Sequence, residues 1–111
     1  MVFGFGRKAH REVSAQELAA LLETGKAVVV DVREVDEFAS GHIPGAVNIP
    51  LSVFQPSRLP AAEGKLLVLS CLGGKRSAMA LDKCANAERV VDTHLAGGFG
   101  AWQAARLPVA R

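Results

Sequence analysis

Residues 66–77 read LLVLSCLGGKRS and combine a strand, a loop and the start of a helix. Residues 66–69 form an apolar run typical of a buried strand, which stops at Ser70. A single thiol follows at Cys71, ahead of a helix that the alanine-rich residues 77–87 predict. Two glycines and two cations lie between the thiol and this helix: Gly73, Gly74, Lys75 and Arg76. A strand that leads through a short loop into a helix is the building unit of an α/β fold.

The same alternation of strands and helices continues along the rest of the chain. Ser14 and Glu17 form a capping-box pattern that predicts a helix over residues 15–23. The predicted strands are residues 27–32, 46–49, 66–70 and 89–93. A short helix is predicted over residues 34–39 with Val35 and Phe38 inward, and another over 101–105 after a flexible turn at Gly97, Gly98 and Gly100. We therefore predict an α/β domain with a mainly parallel sheet and helices on both faces.

Composition limits the classes of function that the chain can have. Its 111 residues, half of them hydrophobic and 22% charged, fit one globular domain. The net charge of +2 is too small to indicate nucleic acid binding, and the cations cluster only near the start, at Arg7, Lys8, His10 and Arg11. We predict a flexible basic segment at residues 1–11 and a folded domain at 12–111.

Neither a membrane span nor a secretory signal is apparent in the sequence. No apolar run approaches the roughly 20 residues that cross a bilayer, and the start lacks the order of a signal peptide. We therefore expect a cytoplasmic protein with no membrane partner. The two cysteines could pair in one disulfide, but two cysteines do not make a disulfide framework, and thiol chemistry is the favoured interpretation.

Cys71 is the candidate nucleophile. A reactive thiol needs cations, a helix N-terminus or converging backbone N–H groups to lower its pKa, and the residues that follow Cys71 offer all three. The alternative is a small buried residue that ends a strand. Cys84 receives that second interpretation, because it shares the apolar face of the predicted helix with Ala80 and Leu81.

The three histidines do not predict a metal site. His10, His42 and His94 show no metal-ligand spacing, and we expect neither a metal nor another cofactor. His42 lies in a turn, where a histidine ties loop backbone together. No Cys/His/Asn set for acyl transfer is recognisable.

Five motifs together resemble the single-domain rhodanese family of sulfurtransferases. In chain order they are DVRE at 31–34, EF at 37–38, SGHIPGAVNIP at 40–50, CLGGKRS at 71–77 and LAGGFGAW at 95–102. The resemblance implies a five-stranded, mainly parallel sheet and a cysteine, Cys71, that becomes a persulfide. It implies a donor such as thiosulfate and an acceptor such as cyanide or a thioredoxin-like protein dithiol.

The resemblance also implies roles for particular residues. The persulfide would lie in the loop formed by Leu72, Gly73, Gly74, Lys75, Arg76 and Ser77, which Arg76 closes. Asp31, Arg33 and His42 would hold the loops at the sheet's carboxyl edge. Glu37 stands where two-domain thiosulfate enzymes often have an arginine, so Lys75 and Arg76 remain as the expected anion-binding charges.

Two alternatives stay open beside a thiosulfate sulfurtransferase. One is a rhodanese-like sulfur-relay or interaction module with little turnover of small molecules. The other is a cysteine phosphatase or arsenate reductase of the same fold, in which five residues separate the cysteine and the arginine. Here four residues separate Cys71 from Arg76, and the smaller loop suits a sulfur atom.

Overall fold

The structure, a computed structural model, describes residues 10–87 and 90–111. Five strands form one sheet in the order β1-β5-β4-β2-β3, and every neighbouring pair runs parallel. In chain order the elements are β1 Arg11–Val13, α1 Ala15–Glu23, β2 Ala27–Asp31, α2 Val35–Ser40, β3 Val47–Asn48, β4 Leu66–Ser70, α3 Lys75–Asn86, β5 Thr93–Leu95 and α4 Gly98–Ala104. Short 3₁₀ turns at Leu51–Val53 and Pro56–Arg58 join β3 to β4.

The two faces of the sheet are covered by different helices. Alternate residues of a strand point to opposite faces, so Val30 and Leu69 pack in one core cluster while Val29 and Val68 pack in the other. The first cluster takes its helical side chains from α3: Ala80, Leu81 and Cys84. The second takes them from α1 and α4, including Leu18 and Trp102. The predicted α/β fold, with a parallel sheet and helices on both faces, is confirmed.

Local signals placed two elements at their predicted bounds. Helix α1 spans the predicted residues, and its capping box is present: the Glu17 N–H donates to Ser14 Oγ over 3.0 Å and the Ser14 N–H donates to Glu17 Oε1 over 2.8 Å. Strand β4 also has its predicted bounds. A reciprocal cap and a long apolar run are therefore sufficient to fix these elements.

Other predictions of secondary structure were wrong in detail. Helix α3 begins at Lys75, two residues before its predicted start at residue 77, because Gly74 adopts a left-handed conformation that ends the loop there. Strand β5 begins at Thr93 and not at residue 89, because the pairing with β4 starts at Thr93 and Val90 is fully exposed. Arg89 lies outside the described residues. Val35 is 64% exposed rather than inward, because it occupies the first position of a helix of six residues.

Strand β1 was not predicted from periodicity, because it contains three residues and only Val13 packs against the core. It includes Arg11, and His10 before it contacts Asp82 of α3 at 3.0 Å. The rest of the predicted basic segment, residues 1–9, lies outside the described residues. In the described ranges no helix has the length and apolar character needed to cross a membrane.

Candidate functional site

Cys71 directly follows β4 and lies at the start of helix α3. Its side chain is buried, with 1% of the residue exposed. The Gly74 N–H donates to Cys71 Sγ over 3.0 Å, and Ser77 Oγ lies 3.5 Å from the same sulfur. The loop therefore folds back over the thiol, as the glycines and the helix start predicted.

The surroundings of Cys71 favour the thiolate. Burial alone would raise the pKa of the thiol, because it removes the charged form from water. Hydrogen bonds from the Ser77 hydroxyl and from the backbone N–H groups of Ser77, Gly74 and Gly73 outweigh burial and lower the pKa below its ordinary value. A sulfur that carries negative charge is therefore stabilised at this position.

Helix α4 contacts residues 71–77, the cysteine loop, through its backbone. The Phe99 N–H donates to the Cys71 carbonyl over 2.7 Å, and the Gly100 N–H donates to the Leu72 carbonyl over 2.9 Å. A Cβ on Gly98 would lie 2.4 Å from the Cys71 carbonyl oxygen, and Gly98 has a φ of +59°. Gly98 and Gly100 are therefore helical residues that permit close approach, and the predicted flexible turn over these two positions was wrong.

Arg76 is bound by Glu37 of helix α2. Arg76 Nη1 lies 2.7 Å from Glu37 Oε1, and Nη2 lies 3.0 Å from Oε2. The hydrogen bond with Arg76 lowers the pKa of Glu37 to about 2 against the opposing effect of burial, and the Glu34 N–H also donates to Glu37 Oε1 over 2.9 Å. The same partner raises the pKa of Arg76. The sequence drew attention to Glu37 only because it stands where related enzymes often have an arginine, and it did not predict the pair. Because Glu37 binds Arg76, exposed Lys75 is the other cation of the loop.

His94 is a part of the site that sequence reasoning missed. Its Nδ1 lies 2.8 Å from Ser77 Oγ, and His94 and Ser77 are both buried. The register explains the contact: His94 pairs with Leu69, whose side chain packs on the face that α3 covers. The predicted strand ended at residue 93. Only a strand that included His94 would have placed this side chain beside the cysteine loop.

Asp31 and Arg33 form a buried ion pair at the end of β2. Arg33 Nη2 donates to Asp31 Oδ2 over 2.8 Å and to the Gly41 carbonyl over 2.7 Å. The guanidinium also lies 4.5 Å from the centre of the Phe99 ring. These contacts join the end of α2 to α4, next to the residues that hold the cysteine loop.

His42 contacts backbone and an aromatic ring rather than the cysteine loop. Its Nδ1 donates to the Phe38 carbonyl over 2.7 Å, and the two rings stack at 3.7 Å. Its backbone forms an isolated antiparallel bridge with Ala110. These contacts join the turn at His42 to the end of α2 and to the C-terminal segment.

The second cysteine and the acidic residues do not extend the site. Cys71 and Cys84 are both buried and are not joined to each other, so the disulfide that the count allowed is not formed. Cys84 packs beside Ala80 and Leu81 as predicted. Among residues 10–87 and 90–111, no three His, Cys, Asp or Glu side chains are grouped to hold a metal ion.

Comparison with known proteins agrees with this fold. The family model of the rhodanese-like domain matches residues 14–105, so the chain belongs to the rhodanese-like domain family. It is similar to the thiosulfate:glutathione sulfurtransferase of Homo sapiens, with 33% identity over 104 residues that cover 81% of this chain and 90% of the human one. The distant relatives of this domain thus include sulfurtransferases.

Two further similarities extend across most of this chain. An uncharacterised protein of Synechocystis is 40% identical over 99 residues, which cover 89% of this chain but only 55% of that protein. The crystal structure of a rhodanese-related protein from Thermoplasma volcanium is similar with a TM-score of 0.76 and 27% identity, covering 91% of this chain and 98% of that one. The fold is therefore shared with a protein of nearly the same extent.

Proposed function

We propose that this protein is a sulfurtransferase that carries sulfane sulfur as a persulfide on Cys71. The observation that carries the proposal is the 3.0 Å contact from the Gly74 N–H to Cys71 Sγ at the start of helix α3. A thiolate that accepts backbone N–H groups beside a helix N-terminus is an activated nucleophile. The sulfurtransferase relatives of the family support the same chemistry.

The transfer takes place in two displacement steps. First the Cys71 thiolate attacks the outer sulfur of thiosulfate or a similar donor; the donor's sulfur–sulfur bond breaks, and its electron pair leaves on sulfite. Next a thiophilic acceptor attacks the outer sulfur of the persulfide, and the Cys71 thiolate leaves. Both steps keep negative charge on sulfur, which the backbone N–H groups of Gly73, Gly74 and Ser77 stabilise.

The acceptor is proposed to be a thiol or another thiophilic molecule. Cyanide serves in an assay, and a glutathione-like thiol or a thioredoxin-like protein dithiol are the proposed natural classes. The name of the human relative, which includes glutathione, supports a thiol. Cys71 must be a reduced thiol to act as the nucleophile, and thiols persist in reducing compartments, so the proposal includes a cytoplasmic location.

The supporting residues are proposed to hold the loop rather than to touch the sulfur. Arg76 closes the loop through Glu37, and Asp31 and Arg33 fix the segments around Phe99. His42 holds its own turn against the end of α2 through the hydrogen bond to the Phe38 carbonyl.

A second candidate function is a sulfur-relay module that accepts the persulfide but turns over small donors slowly. The observation that favours it is the bidentate pair between Arg76 and Glu37, which occupies a guanidinium that could otherwise bind a dianion. A phosphatase or arsenate reductase is disfavoured, because four residues separate Cys71 from Arg76 where those enzymes have five.

The experiment is a turnover assay with thiosulfate as donor and cyanide, glutathione or thioredoxin as acceptor. Sulfite release that depends on acceptor, is lost in Cys71→Ser and is kept in Cys84→Ser supports a sulfurtransferase. A persulfide that forms on Cys71 with negligible turnover of thiosulfate and cyanide identifies the relay. Sulfite release that persists in Cys71→Ser contradicts both, and hydrolysis of an aryl phosphate that requires Cys71 identifies a phosphatase.

A further inference from the structure

A buried histidine lies one side chain away from the Cys71 thiol. Ser77 Oγ lies 3.5 Å from Cys71 Sγ and 2.8 Å from His94 Nδ1. All three residues are buried, with 5% of His94 exposed and less of the other two. The two displacement steps described above do not use His94, although it is the titratable group at the end of this chain of contacts.

The serine hydroxyl has more neighbours than hydrogens. A hydroxyl donates one hydrogen and accepts at two lone pairs, while Ser77 Oγ contacts Cys71 Sγ, His94 Nδ1 and, over 3.2 Å, the Gly74 carbonyl. When Cys71 is a thiol, its hydrogen can point to Ser77, and Ser77 then donates to the bare Nδ1 of His94. When Cys71 is a thiolate, the sulfur can only accept, so Ser77 donates to this charged atom in preference to the neutral Gly74 carbonyl. The hydrogen bond between Ser77 and His94 then requires a proton on Nδ1.

The other side of His94 faces charged and titratable groups of β1 and α3. Nε2 lies 3.5 Å from Glu12 Oε2, and the His10 ring packs edge-on with its centre 5.9 Å away. His10 in turn contacts Asp82 of α3. Burial lowers the pKa of His94, Glu12 acts to raise it and His10 acts to lower it. Burial therefore favours the neutral ring at rest, in which Nδ1 can be bare, and Glu12 lies where it offsets part of the cost of forming the imidazolium.

We propose that Ser77 and His94 form a proton relay for Cys71, with His94 as a positioning residue that acts through Ser77. The S–H bond of Cys71 breaks and its proton passes to Ser77 Oγ, while the Ser77 hydroxyl proton passes to His94 Nδ1. The products are a thiolate, an unchanged serine and an imidazolium, so charge and atoms balance without a further reactant. The relay rests on the proposed role of Cys71 as a nucleophile.

Two features make the relay specific to this arrangement. The contacts run from Cys71 Sγ to Ser77 Oγ and from Ser77 Oγ to His94 Nδ1, so the proton passes through the serine. The two ionisations are coupled, because a thiolate stabilises the imidazolium and the imidazolium stabilises the thiolate. Replacing either residue must therefore change the titration of the other.

The first test is the pH dependence of Cys71 alkylation by iodoacetamide, which needs no sulfur donor. In His94→Asn the amide still reaches Ser77 but cannot take a proton, so we expect the half-maximal pH to rise by about one unit and the rate near neutrality to fall roughly tenfold. The limiting rate at high pH should be unchanged. Ser77→Ala should raise the half-maximal pH as well, and Ser77→Ala/His94→Asn should add nothing to Ser77→Ala alone.

Superimposable profiles of the wild type and His94→Asn would overturn the relay, as would additive shifts in the double variant. A second measurement leaves Ser77 unchanged, so it does not depend on whether the Ser77→Ala variant folds. NMR of the His94 ring nitrogens should give a lower pKa for His94 in Cys71→Ala than in the wild type, and an unchanged pKa would contradict the coupling. Failure of sulfur transfer with these shifts intact would count against the proposed function alone.

Discussion

Glu37 and Arg76 form a bidentate ion pair that joins helix α2 to the cysteine loop. The two contacts measure 2.7 and 3.0 Å, and about a third of each side chain is exposed. Paired N–H donors on one carboxylate fix orientation as well as distance. Helix α2 therefore helps to position the loop, which does not depend on its own residues alone.

This pair should contribute modestly to stability. Because both partners are partly exposed, solvent screens them, and we expect a coupling free energy of about 1 kcal/mol. The measurement is a double-mutant cycle of Glu37→Gln and Arg76→Gln by urea unfolding. A coupling indistinguishable from zero would show that the contact does not hold the loop.

Acid should destabilise the protein through Glu37. Its pKa is lowered from 4.5 to about 2 in the folded state, so its contribution is fully present above pH 4.5 and is lost as the pH falls toward 2. The difference in unfolding free energy between the wild type and Glu37→Gln should therefore shrink across this range. A difference that stays constant from pH 5 to pH 2 would be incompatible with the ion pair.

Gly98→Ala should perturb both stability and the cysteine loop. A Cβ would lie 2.4 Å from the Cys71 carbonyl oxygen, in addition to the strain of a positive φ. Gly25→Ala is the matched control, because Gly25 has a φ of +70° and nothing within 4 Å of its Cβ position. Strain alone costs roughly 1–2 kcal/mol, and the contact at Gly98 should add about 1–3 kcal/mol. Equal losses of unfolding free energy would show that the close approach is absent.

Arg33→Ala should be severely destabilising. It leaves the Asp31 carboxylate buried without its cation, which typically costs about 3–5 kcal/mol. Arg33→Lys should not restore stability, because lysine cannot make the paired contacts to Asp31 and Gly41. Arg11→Ala is the control: its pair with Asp92 is largely exposed and should cost under about 1 kcal/mol. Comparable losses of unfolding free energy in Arg33→Ala and Arg11→Ala would contradict the buried pair.

The sequence predicted the parts of the fold that local chemistry specifies. The cap at Ser14 and the apolar run of β4 fixed their elements, and the glycines after Cys71 indicated the loop that covers the thiol. These features depend on residues close together in the chain.

Contacts between distant segments could not be predicted in the same way. The pairing of Arg76 with Glu37 joins residues 39 positions apart, and the contact of Ser77 with His94 depends on the register of β5 beside β4. Likewise, the glycines of α4 are explained only by the backbone of the cysteine loop against which they pack. Spacing along the chain contains none of this information.

The central claim is that Cys71 carries a transferable sulfur, and the mass of the intact protein tests it most directly. After incubation with thiosulfate and removal of excess donor, the account predicts the mass of one added sulfur atom, located on the peptide that contains Cys71 and lost on treatment with cyanide. Cys84→Ser should gain the same mass, and Cys71→Ala should gain none. An unmodified wild type, or an adduct that survives in Cys71→Ala, would contradict the account.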